Sequence, residues 1–168
     1  MKYLIPLFAC LIIGCTEDGQ FITESGQNTR GYGPANLVQA YFTQPGTERG
    51  QEKDTSLDDA LIALLQGAKS TIDIAIYELK DEAVIDALLD AHDRGVTVRM
   101  VGDEDEASDL GYIMLDEAGV EQSLRTTSGI MHNKFVVVDE RVVWTGSTNL
   151  THNGLYLNNN DAILLDSR

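Results

Sequence analysis

In this 168-residue chain, His132-Asn133-Lys134 precedes the apolar run Phe135-Val136-Val137-Val138, which closes on Asp139; Gly146-Ser147-Thr148-Asn149 follows a second apolar run. An imidazole can attack an electrophile or donate a proton, an ammonium supplies fixed positive charge, and serine and asparagine add neutral hydrogen-bonding groups. Together these groups suit a phosphoryl group. The β-branched run 135–138 reads as a buried strand, and strand period two then sets His132 and Lys134 on one side, close enough to grip one phosphate.

The preceding chain must supply the scaffold. Leu37–Phe42 reads as a first strand, closed by Gln44-Pro45-Gly46, with a polar loop through Asp54. Ser56 with Asp59 caps a helix whose apolar face is Leu57, Ala60, Leu61, Leu64 and Leu65. Thr71–Tyr77 alternates as a central strand. Asp81 caps a second helix with Val84, Ile85, Leu88 and Leu89 inward, ending at Gly95, and Val96–Val101 is the next strand. A third helix over 108–118, a short strand over 120–124, the hairpin 132–138/141–146, a polar loop 151–160 and a last strand 162–165 complete the pattern. Strand–helix alternation with short connections predicts the α/β class: a mixed, largely parallel sheet with helices on both faces. No internal repeat is present.

The spacing His132-x-Lys134, four residues, Asp139, six residues, Gly146-Ser147-x-Asn149 resembles the motif of the phospholipase D superfamily without a gap. The resemblance implies a phospholipase D-like α-β-α sandwich over 36–168 and phosphodiester chemistry with no cofactor and no metal. In that family the motif histidine attacks phosphorus to give a covalent phosphohistidine, and a histidine from a second motif copy protonates the leaving oxygen. Carried over, His132 is the nucleophile or its acid partner, and Lys134 and Asn149 clamp the phosphate. Ser147 orients the site, Gly146 permits close backbone approach, and Asp139 reads as an anchor in a turn. Many relatives place a glutamate where this chain has Asn160, and an amide cannot stabilise imidazolium by charge. Of the other histidines, His92 reads as a residue of a helix end, and His152, in the loop just past the motif, is a candidate to line the site.

Two imidazoles in different protonation states are needed at one phosphate, and the chain carries one copy of the motif. The expectation is a homodimer with one shared site, or half of a two-motif protein. The sequence stops after the last strand, where relatives usually continue into a helix, so a C-terminally truncated domain is also expected.

Lys2 followed by the apolar run Tyr3–Ile13 reads as an export signal over 1–14. Leu11-Ile12-Ile13-Gly14-Cys15 resembles a bacterial lipobox, which implies a lipid anchor on Cys15, a cell-envelope location, and a flexible tether over 15–35. Cys10 would leave with the signal, so no internal disulfide is expected. The net charge is −15, and removal of the signal would make it one unit more negative. So acidic a body repels DNA and RNA. Phospholipid is therefore the preferred phosphodiester substrate, with an envelope endonuclease and a non-catalytic binding module as alternatives. The acidic run Asp103–Glu106 reads as a solvated loop rather than a metal site.

Overall fold

The computed structural model describes residues 37–46 and 56–166. These belong to the compact unit Asn36–Arg168. The expected signal, the tether and Cys15 lie outside the described residues.

Seven strands form one sheet: β1 (Leu37–Phe42), β2 (Thr71–Ile76), β3 (Thr97–Asp103), β4 (Glu121–Arg125), β5 (Lys134–Val138), β6 (Val142–Gly146) and β7 (Asp161–Asp166). Their spatial order is β1-β7-β6-β5-β2-β3-β4. Among the described residues three α-helices are inserted: α1 (Ser56–Gly67), α2 (Glu82–Asp93) and α3 (Leu110–Glu117). The Asp81 carboxylate accepts from the Val84 N–H at 3.2 Å, the N-cap expected for the second helix.

The α/β class and the mixed sheet match expectation. The balance of pairings differs, because only β2/β3 and β3/β4 are parallel while the other four contacts are antiparallel. The reason is local. Helical crossovers are needed only between β2, β3 and β4, whereas β5 and β6 form a hairpin and β7 returns between β6 and β1. The two crossovers step the same way across the sheet, and a single crossover hand then puts α2 and α3 on one face. Helix α1 packs against α2 on that side. Leu57, Leu61, Leu65, Val84, Ile85, Leu88 and Leu115 meet Ile72, Ile74, Val98, Met100, Val136, Val138, Val142 and Trp144 in one core. On the opposite face Val38, Phe42, Val101, Ile163 and Leu165 remain exposed. Among the described residues, then, the helices cover one face of the sheet rather than both.

Close approach at one point ties the helical layer to the sheet end that carries the site. A Cβ on Gly102 would overlap the Tyr112 ring. Without it, the Tyr112 hydroxyl donates to the Ile76 carbonyl at 2.7 Å and accepts from the Asp103 N–H at 3.2 Å. Burial pushes this phenol up to about 12.

Candidate active site

Strand β5 starts at Lys134, which is paired with Ile76, the last residue of β2. His132 lies in irregular chain just ahead of the strand, rather than on it as expected. The consequence for the site is small. His132 and Lys134 still line one cleft of about 480 Å³, together with Ser147, Asn149 and Asn160. Five of the residues singled out in the sequence are thus brought together by segments far apart in the chain.

The nucleophile candidate is held by its neighbours. The Tyr77 ring meets the His132 ring edge-on, with centroids 5.1 Å apart. The Lys134 ammonium donates to the His132 carbonyl at 3.1 Å and lies 5.8 Å from the centre of the Tyr77 ring. Burial lowers the Lys134 pKa from its ordinary value, opposed by the negative charge of Glu78. Such an ammonium is poorly hydrated, which strengthens its hold on an anion.

Ser147 and Asn160 are linked across the cleft floor. The Ser147 hydroxyl donates to Asn160 Oδ1 and Asp161 Oδ1, each at 3.0 Å, and accepts from the Asp161 N–H. Asn160 Nδ2 donates to the Gly154 carbonyl at 2.8 Å. The amide at 160 therefore fastens Ser147 to the 153–157 turn, and among the described residues it makes no hydrogen bond to His132. A Cβ on Gly146 would overlap the Asp161 carbonyl, so glycine is needed where β6 meets β7.

Asp139 stands at the far end of β5, ~17 Å along the strand from Lys134. Its carboxylate accepts from the N–H groups of Lys69, Ser70 and Thr71 and from the Ser70 hydroxyl, at 2.7–3.1 Å. It is a structural anchor outside the cleft. Burial raises its pKa, but the bonds from these three residues outweigh that and hold it below the usual carboxylate range.

Two cleft residues escaped the sequence reading: Glu78 and Lys80, on the loop after β2. His152, a candidate from the loop just past the motif, lines the cleft as well, tilted on Tyr156 with centroids 5.3 Å apart. The loop expected over 151–160 contains a π-turn, Asn153–Leu157, that buries Leu155 and Tyr156. The Tyr156 hydroxyl donates to the buried Asp58 carboxylate of α1 at 2.9 Å. The apolar pair Leu155-Tyr156 inside a polar stretch was the available signal. Asp103, read as part of a solvated run, is 1% exposed and bonded to Arg125. Among the described residues no group of three or more His, Cys, Asp or Glu side chains is placed to hold a metal ion. His92 lies in the last turn of α2 and is not a cleft residue.

Fold and site define an α/β domain with a histidine–lysine–asparagine cleft at one end of a mixed sheet. The chain belongs to the phospholipase D superfamily: residues 61–168 match the family described as "Cardiolipin synthase, PLD-like domain". It is 34% identical over 116 residues to a human mitochondrial cardiolipin hydrolase, covering 67% of this chain and 44% of that protein. It is 29% identical over 110 residues to a phospholipase D of Rickettsia prowazekii, covering 64% of this chain and 54% of that one. The chain spans about half the length of the curated relatives it matches. Its fold is similar to that of the phospholipase D family member Nuc from Salmonella typhimurium, with a TM-score of 0.66 at 24% identity over 79% of this chain and 84% of that one.

Proposed function

We propose that this chain is a phosphodiesterase of phospholipase D type that acts on a phospholipid through a covalent phosphohistidine. The observation that carries the reading is the convergence of His132, Lys134, Ser147 and Asn149 on one cleft. A neutral His132 attacks phosphorus, and the bond to the leaving alcohol breaks as that oxygen takes a proton from a second imidazolium. Water then attacks the phosphohistidine, gives its proton to the second imidazole, and the P–N bond breaks to release the phosphomonoester and His132. Lys134 and Asn149 neutralise the equatorial oxygens throughout.

The second imidazole comes from a second copy of the chain, in a homodimer with a shared site. One observation favours a lipid over a nucleic acid. The net charge of −15 opposes a polynucleotide. The names of the cardiolipin hydrolase and phospholipase D relatives point the same way. Anchoring through Cys15 in the envelope would set the cleft within reach of such a substrate. The runner-up is a metal-independent envelope endonuclease, favoured by the single short motif.

The test is turnover by the purified chain, with chelator present, on phospholipid vesicles, plasmid DNA and a generic phosphodiester. Turnover of vesicles that disappears in His132→Ala is expected. Turnover of DNA alone would select the endonuclease, and activity only with added metal would sink the mechanism.

A further inference from the structure

The Asn149 amide has two possible orientations, and only one of them serves an anion. With its N–H groups toward the cleft it binds phosphate oxygen; with its carbonyl there it repels it. The structure holds one orientation: Asn149 Nδ2 donates to Glu78 Oε2 at 2.5 Å. A carboxylate only accepts, so the amide nitrogen, and not the oxygen, must face Glu78. The cost of this choice is visible, because Asn149 Oδ1 is buried with no hydrogen-bond partner. An asparagine free to turn would relieve that oxygen, so something outside it enforces the orientation.

We propose that Glu78 is a positioning residue for the phosphate cleft, locking Asn149 so that its second N–H is offered to a phosphoryl oxygen. This rests on the proposed phosphate-handling role of the same cleft. Glu78 is itself fixed. Its other oxygen accepts from Lys80 Nζ at 2.9 Å, and Lys80 is held in turn by the buried Asp109 carboxylate at 3.1 Å. Asp109 closes the chain by accepting from the Leu79 N–H at 3.2 Å. The backbones are zipped as well: the Leu150 N–H donates to the Glu78 carbonyl, and the Lys80 and Asp81 N–H groups donate to the Leu150 carbonyl. The two side chains therefore cannot drift apart without breaking a main-chain ladder. Glu78 also opposes the loss of charge that burial imposes on Lys134, the other half of the clamp. One carboxylate thus supports both anion-binding groups, in a chain that has an amide at Asn160 where many relatives carry a glutamate.

A double-mutant cycle with Glu78→Leu, Asn149→Ala and the pair tests this, read by binding of inorganic phosphate and by turnover, with melting temperature measured alongside. Glu78→Leu is expected to weaken phosphate binding and kcat ~10–100-fold, the usual range for loss of a group that orients a ligand. In the Asn149→Ala background it should add less than about twofold, because the group it orients is gone. Glu78→Gln keeps an acceptor and should recover most of the loss, which a general effect on folding would not show. Additive effects in the cycle, or tighter phosphate binding by Glu78→Leu, would overturn the proposal, the latter meaning that the carboxylate merely repels the anion. Failure of the wild-type chain to bind phosphate overturns it too. If phosphate binds but no phosphodiester turns over, the reaction proposed above fails, and the binding cycle still decides the role of Glu78.

Discussion

The carboxylate of Asp103, buried at the end of β3, accepts a hydrogen bond from the Met131 N–H at 2.6 Å, one residue before His132. That bond is the main cause of a pKa held below the usual carboxylate range, with Arg125 adding to it. Arg125 bonds the same carboxylate through Nη2 at 2.9 Å and reaches the carbonyls of Thr127 and Gly129. The loop that delivers His132 is thus pinned to the sheet at three points. Asp103→Ala should therefore lower the melting temperature, because the Met131 N–H and the Arg125 guanidinium lose their acceptor. Asp103→Asn keeps an acceptor for Met131 and should cost less, while still lowering turnover through a loosened His132. Thermal unfolding and turnover on the two variants check this; unchanged turnover in a folded Asp103→Asn would show that the loop does not need the charge.

Asp139 offers a pH test separate from the cleft. Its folded pKa is depressed, so its stabilisation is present in full above the ordinary carboxylate value and is lost as pH falls through the lower folded value. Asp139→Asn should cost ~1–3 kcal/mol at neutral pH, the worth of hydrogen bonds to a charged group. The gap between variant and wild type should close on acidification below the usual carboxylate range. Denaturant melts across pH measure it, and a gap independent of pH would mean that the charge is irrelevant.

The hairpin turn carries a correctable strain. Asp139 and Glu140 have φ of 53° and 54°, and the Arg141 N–H donates to the Val138 carbonyl at 3.1 Å, closing a two-residue turn of the mirror-image type. Aspartate tolerates this region, whereas glutamate has no local bond to favour it. Glu140→Gly should stabilise the fold by ~0.5–1 kcal/mol. A shift of the urea midpoint to higher concentration, with unchanged turnover, is the expected result.

Lys134 titrates below the ordinary lysine value because it is desolvated. Phosphate binding should accordingly fall as pH rises toward that value, earlier than for a solvated lysine. Lys134→Met should remove this alkaline limb and lower kcat by ~10²–10³-fold, comparable to loss of a donor that stabilises developing charge. Phosphate titrations across pH in wild type and variant would show it.

The shared-site reading makes a prediction about assembly. Sedimentation of the active fraction should show two chains per particle, and His152→Ala should retain most turnover because the second imidazole is the partner copy's motif histidine. An active single chain, or loss of turnover in His152→Ala comparable to His132→Ala, would place the second imidazole within one chain.

By itself the sequence determined the elements and most of the cleft. Strand and helix periods follow from side chains that must face one core, so β1 to β7 and α1 to α3 could be read along the chain. His132, Lys134, Ser147 and Asn149 could be named because their types and spacing specify a chemistry. Tertiary structure decided what depends on partners distant in sequence. Which face the helices cover follows from the direction of the crossovers, not from any local pattern. Whether Asp103 is a solvated acid or a buried anchor depends on Arg125 and Met131, over 20 residues away. The orientation of Asn149 depends on Glu78, 71 residues earlier. A carboxylate and an amide on separate strands' ends carry no mark in the sequence that they will meet; the parallel bridge between Leu79 and Leu150 brings them together.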